Sequence, residues 1–277
     1  MTPTQYCQEK AAQSGSSFYY SFLFLPWEKR EAITALYAFC REVDDVVDEC
    51  TDADIARTKL AWWRQELADT YAGNPQHPVG KALLPVIRRH DLPMEQFQEI
   101  IDGMEMDLDR NRYLDFKALH LYCYRVASVV GQLAATLFGH QDRHTLKYAH
   151  DLGLAFQLTN IIRDVGEDAR RNRIYLPQDE LARFGVSEQD ILDQRATPAF
   201  RELMAFQVQR ARQTYAQAFS QLASVDRKNQ RPGLVMAAIY QTLLNEIERD
   251  QFQVLTQRTS LTPLRKLWIA WKTWVRA

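Results

Sequence analysis

Little in this chain of 277 residues interrupts a helix. It holds only 10 glycines and 10 prolines, and no Ser/Gly/Pro-rich linker divides it, which favours one domain over residues 1–277. Strict apolar/polar alternation is nearly absent, so half-buried strands are not expected. The four cysteines, Cys7, Cys40, Cys50 and Cys123, form no Cys-x-x-Cys pair and have no histidine cluster beside them. A zinc site and a disulfide framework are thereby excluded, and ordinary thiols in a reducing compartment are expected. Excess charge is missing too. Lys and Arg number 34 against 35 Asp and Glu, so bulk electrostatics gives no footprint for nucleic acid. No basic start followed by an apolar run marks a secretory leader, and no uninterrupted apolar stretch reaches the length of a bilayer span. The expected location is cytoplasmic.

What the chain does have is 46% hydrophobic residues, recurring at helical spacing over most of its length, enough for a sizeable core. The pattern predicts helices over about 28–49, from a cap at Thr51 or Asp52 onward, and over 79–90, 93–108, 119–138, 142–169, 198–225, 233–256 and 263–276. A basic loop is expected over 170–177. The fold class is therefore all-α.

Two helices carry acids in a special pattern. At about 100° per residue, Tyr37, Arg41, Asp44 and Asp48 share a stripe about 60° wide. Asp44 and Asp48 are neighbours on that face, where like charges repel. Val43, Val46 and Val47 interleave with them, so the helix reads as largely buried rather than as a solvated acidic face. A cation between the carboxylates resolves the conflict, and Mg²⁺ prefers carboxylate and phosphate oxygens. Further along, Gln157, Asn160, Asp164 and Asp168 form a second polar stripe about 80° wide on an otherwise apolar helix. Buried amides and acids need partners. Arg163, Arg170, Arg171 and Arg173 stand beside this stripe, and guanidinium groups suit diphosphate oxygens. Each feature also has a plain structural reading, as a polar bundle face or a solvated loop. The repetition of Asp-x-x-x-Asp on two buried helices is what makes the metal–diphosphate reading specific. Carboxylates, Mg²⁺ and arginines around an apolar cavity suit ionisation of an allylic diphosphate.

Asp44-x-x-x-Asp48 and Asn160-x-x-Arg163-Asp164-x-x-x-Asp168 resemble the squalene/phytoene synthase family. So do Ser16-Ser17-Phe18-Tyr19, Tyr37-x-x-x-Arg41, the run Tyr122-Cys123-Tyr124-Arg125-Val126-Ala127, and Arg173-Ile174-Tyr175-Leu176-Pro177. Within the family, Ser14 to Phe22 and Gly103 to Asp109 look like the bacterial presqualene diphosphate synthases of the hopanoid pathway. The resemblance implies an isoprenoid synthase fold around a central cavity, and Mg²⁺ held by Asp44, Asp48, Asp164, Asp168 and Asn160. It implies that Tyr37 and Arg41 orient a diphosphate or relay a proton. Substrate contacts are expected at Ser17, Phe18, Tyr19, Phe22, Arg125, Gln157, Asn160, Arg163, Arg173 and Tyr175. The implied reaction joins two farnesyl diphosphates into presqualene diphosphate, for squalene and hopanoid synthesis by downstream enzymes. Eukaryotic squalene synthases have a tyrosine where Arg125 stands. NADPH and the reductive half-reaction are therefore not expected. Phe18, Phe22 and Leu133 are candidates for the wall that sets donor length.

Competing readings are a phytoene synthase, a complete NADPH-dependent squalene synthase, a non-catalytic prenyl-diphosphate binder and a structural bundle. A di-iron bundle would need Glu-x-x-His pairs, and none is present. The tail 263–276 is basic and amphipathic, with Leu264, Leu267, Trp268, Trp271, Trp274 and Val275 on one side. It suits either docking on the bundle or reversible contact with a membrane surface, which would make the protein peripheral on the inner face.

Overall fold

The computed structural model describes residues 1–13 and 17–276, with the backbone alone for residues 17–19. In chain order the α-helices are α1 (Pro3–Gln13), α2 (Ser17–Phe22), α3 (Trp27–Glu49), α4 (Ala53–Ala72), α5 (Pro78–His90), α6 (Met94–Asp109) and α7 (Phe116–Cys123). They continue with α8 (Val129–Phe138), α9 (His144–Arg170), α10 (Gln178–Phe184), α11 (Glu188–Leu192), α12 (Pro198–Gln221), α13 (Arg231–Arg249) and α14 (Pro263–Arg276). No strand forms among the described residues. One isolated parallel bridge joins Arg112 to Ile174.

Local chemistry sets the boundaries. The Asp52 carboxylate accepts from the amides of Asp54 and Ile55 and starts α4, as an N-cap should. Pro232 sits in the first turn of α13, where its missing N–H costs nothing. That helix stops at Arg249, short of the expected 256. Phe252 takes a left-handed φ of 59°, and a 3₁₀ turn, Gln253–Leu255, follows. Likewise α12 ends at Gln221, not near 225. Helices α1, α2, α10 and α11 were not expected. Three are short, and α1 has little apolar periodicity to betray it.

Helices α7 and α8 join through a π-helical turn, Tyr124–Ser128, making one rod from Phe116 to Phe138. By length and composition this rod is apolar enough to cross a membrane, although Lys117 and Arg125 interrupt its apolar run. Half of it is buried inside the bundle, against α6 and α9, so it is a core helix here. The rod lies on α9 at unusually close range. A side chain at Gly153 would meet the Ala127 carbonyl at 2.4 Å, and one at Gly131 would meet the Ala149 carbonyl at 2.4 Å. Glycine is required at both positions for backbone to touch backbone.

The core has two halves. One is built by α1 and α3–α6 with part of α8, the other by α7, α9, α12 and α13. The main cavity opens along the seam between them, bounded by α3 on one side and α9 on the other.

Candidate active site

The cavity has a volume of about 450 Å³. Its polarity follows the course of α9. Tyr148, Leu152 and Phe156 line one end, and Gln157, Asn160, Asp164 and Asp168 line the other. At 1.5 Å rise per residue, Tyr148 and Asp168 are about 30 Å apart along the axis. Tyr37, Arg41, Asp44 and Asp48 on α3 face the same polar end. The two acidic stripes thus meet across one cavity.

Each acid has its own surroundings. Arg41 donates to Asp44 at 2.6 Å and to Asp45 at 2.5 Å. Arg171 and Arg173 reach Asp48 at 2.9 and 3.0 Å. Arg163 bonds both oxygens of Asp164, at 2.7 and 2.5 Å, and Arg258 adds a contact at 2.8 Å. Burial alone would raise the Asp164 pKa, but these two arginines hold it below the ordinary value. Asp44 behaves differently. Burial lifts it to about 7, the Arg41 charge only partly offsets this, and Asp48 adds repulsion. For Asp168, burial and the charges of Asp164 and Asp107 lift it to about 8.

Asp107 on α6 belongs to this cluster, although from sequence it stands out only as part of the family-like run Gly103 to Asp109. Tyr175 and Tyr122 donate to its two oxygens at 2.8 and 2.9 Å. Burial lifts its pKa to about 6 against the pull of Arg173 and the two phenols. The tyrosine rings stack at 5.1 Å. Main-chain bonds from Ile174 to Asn111 and from Gln178 to Tyr113 anchor the loop that carries Arg173 and Tyr175. Tyr175 is therefore a support behind the acids and not a cavity wall. Glu167, Arg258 and Tyr240 also line the cavity without having been expected. Glu167 lies next to the stripe it belongs with. Arg258 sits in a loop before α14 and carries no local signal.

Among the described residues, no three acids or histidines gather closely enough to enclose a metal on their own. The donor set nevertheless fits a hard cation shared with a ligand. Asn160 gives its amide N–H to Gln157 at 3.2 Å, while its buried Oδ1 has no partner. That oxygen lies on the same stripe as two carboxylates. A carbonyl oxygen and acids on both walls, with arginines nearby, match the way Mg²⁺ is bound through a few carboxylates plus substrate phosphates. Asp44, Asp48, Asp164, Asp168 and Asn160 are the residues that could hold it.

Besides Tyr175, two expected site residues lie off the cavity wall. Arg125 points outward from the π-helical turn and donates to Glu99 on α6 at 2.9 Å. The turn directs Val126 and Ala127 into the cavity instead. Leu133 packs in the core behind the wall and does not line the cavity. Phe22 is buried and does line it, near Phe138, with the rings 6.2 Å apart. The expected side-chain roles of Ser17, Phe18 and Tyr19 fall outside the described residues.

This helical frame, with two acidic walls on one apolar cavity, belongs to a known class. The sequence pattern of the squalene/phytoene synthase family matches residues 11–265, and the chain belongs to that family, whose members are prenyltransferase-type enzymes. A phytoene synthase of Arthrospira platensis is 39% identical over 94% of this chain and 89% of its own. The chain spans a little under two thirds of the length of several chloroplast phytoene synthases that it also matches. A crystal structure of a dehydrosqualene synthase in complex with ligand superimposes with a TM-score of 0.89 at 28% identity, over 99% of this chain and 96% of that one. The squalene synthase HpnC from Alicyclobacillus acidocaldarius superimposes with a TM-score of 0.80 at 28% identity, over 90% and 94%.

Proposed function

We propose that this chain joins two farnesyl diphosphates head to head, releasing diphosphate and a proton and leaving presqualene diphosphate. The observation that carries the reading is the meeting of Asp44/Asp48 and Asp164/Asp168 at one end of a cavity whose other end is apolar.

The chemistry follows from that polarity. Arg41, Arg163, Arg171, Arg173 and Arg258 lie at the acidic end, where diphosphate groups would accept their hydrogen bonds. Mg²⁺ bound there would offset the charge that grows on the leaving diphosphate as the donor C1–O bond breaks. Apolar walls from Val126, Leu152, Phe156 and Met236 keep water from the allylic cation. The 2,3-alkene of the second substrate attacks that cation, and loss of a proton closes the cyclopropane. Tyr37 and Arg41 line this end, placed to orient a diphosphate, and the released diphosphate is a base able to take up the proton. The product keeps one diphosphate, so a further ionisation has to follow before a hydrocarbon forms.

Farnesyl chains are favoured by the bulk of Phe22, Phe138 and Tyr148 at the apolar end and by the likeness to a dehydrosqualene synthase. The 39% identity to a phytoene synthase favours geranylgeranyl diphosphate as the second reading. Product analysis after incubation with each diphosphate and Mg²⁺, with and without NADPH, separates them. Presqualene diphosphate from farnesyl diphosphate in both conditions supports the proposal. Turnover of the longer donor alone replaces it, and squalene formed only with NADPH adds the reductive half.

A further inference from the structure

Helix α14 docks on the bundle through one face and leaves a second face bare. Ala270 is fully buried, Trp274 packs on Phe24 with ring centroids 5.5 Å apart, and Arg231 lies over the Trp274 ring at 5.6 Å. This face holds the helix to α13 and α2. An adjoining face has no cover. Leu264, Leu267, Trp268, Trp271 and Val275 are 79%, 38%, 59%, 50% and 64% exposed. At about 100° per residue they share one stripe about 100° wide. Trp268 and Trp271 contact each other at 5.1 Å, and Phe24, partly exposed beside Trp274, extends the apolar surface. Lys272 and Arg276 follow along one edge of the stripe, both exposed, with Arg265 beside them paired to Glu246 at 2.6 Å.

We infer that this face docks on a bilayer carrying anionic headgroups. Exposed tryptophan beside Lys and Arg is the pattern of a helix lying in the membrane interface, with its rings at headgroup depth and its cations on anionic lipid. A second copy of this chain fits less well. Five side chains on one helix cover far less than the roughly 800 Å² per partner of a stable interface, and symmetric pairing would bring the basic edges together. The placement also links the surface to the cavity. Lys266 lies over the Tyr20 ring of α2 at 5.4 Å, and Phe22 of the same short helix lines the cavity. A greasy product would then be released beside the phase that dissolves it.

The test is flotation of the full-length protein with phosphatidylcholine vesicles, with and without phosphatidylglycerol. The protein should float with the anionic vesicles, and high salt should weaken this. Trp268→Ser with Trp271→Ser should lower partitioning roughly tenfold or more. Lys272→Glu with Arg276→Glu should abolish the preference for phosphatidylglycerol. These side chains are exposed, so circular dichroism and turnover of detergent-dispersed substrate should stay unchanged in both variants. Equal flotation of the tryptophan variant and the parent would overturn the inference. So would failure of the parent to float, or a dimer in sedimentation velocity that the tryptophan substitutions dissolve.

Discussion

The two acidic stripes have the same spacing and place their partners in opposite order. On α9, Asp164 is gripped by Arg163 and Arg258 and its pKa is depressed, while Asp168, four residues on, is raised to about 8. On α3, the inner Asp44 is raised to about 7 despite Arg41, and the outer Asp48 is held by two arginines from the loop after α9. Each wall thus combines an acid paired with two arginines and an acid whose charge is crowded by its neighbours. The loop that follows one stripe secures the other, so the walls are coupled through Arg171 and Arg173. Spacing creates the stripes. The partners, which come from distant parts of the chain, decide which carboxylate is poised to take up a cation.

Neutralising the acids should give the largest effects and should split the stripe on α9. Asp44→Asn, Asp164→Asn and Asp168→Asn should each lower turnover by roughly a thousandfold. Their effects on metal-free stability should differ in sign. Asp164→Asn leaves Arg163 buried without its counter-charge and should cost about 3 kcal/mol. Asp168→Asn removes a crowded charge and should raise the melting temperature at pH above 8. Thermal melts of the two variants at that pH decide the matter. If both shift the same way, the contrast between the two acids fails.

The pH dependence sharpens the same contrast. A carboxylate whose pKa is raised on folding contributes stability that is complete below its unfolded value of 3.8 and is lost as pH climbs through the folded value. For Asp44 and Asp168 that loss ends near pH 7 and 8. Metal-free protein should accordingly melt at lower temperature as pH rises from 5 to 8. Added Mg²⁺ and diphosphate should stabilise it most at the upper end, since cation and proton compete for the same oxygens. Stabilisation by Mg²⁺ that is equal at both pH values would separate these acids from the cation.

A smaller effect is expected behind the acids. Tyr175→Phe removes one of two phenol donors to Asp107 and leaves the ring stacked on Tyr122. Turnover should drop less than roughly tenfold, with the fold intact by circular dichroism. A loss as large as that of Asp168→Asn would mean that Tyr175 touches the substrate directly.

These contrasts show where the sequence was legible. Apolar periodicity marks most of the long helices, and the Asp-x-x-x-Asp repeats mark both walls. A period reports the face of a helix, and a face is what each stripe is. Asp107 was less visible because its partners Tyr122 and Tyr175 come from a different helix and a loop. Arg258 was invisible for the same reason, since its contact with Asp164 spans 94 positions. The tail shows a subtler limit. One amphipathic pattern served two faces, and only the packing of Ala270 and Trp274 shows which part of it remains uncovered.

Arg125 should give the smallest effect, and it tests the limit of reading a site from a motif. It sits among residues that resemble the family's signature, yet a regular helix is interrupted there by the π-helical turn. A π turn adds a residue to the ring closed by each backbone bond and so rotates the side chains that follow it. The result gives Val126 and Ala127 to the cavity and sends Arg125 to Glu99 at 2.9 Å, with Asp102 at 3.8 Å. Both partners of the shorter pair are about one third exposed or less, at 26% and 35%, where such a pair contributes about 0.5 kcal/mol. Arg125→Ala should therefore change turnover by less than about twofold and stability by no more than about 1 kcal/mol. Steady-state kinetics beside a denaturant melt measure both. A large rise in KM with stability unchanged would mean that Arg125 turns inward when a diphosphate binds, and that the π turn works as a pivot.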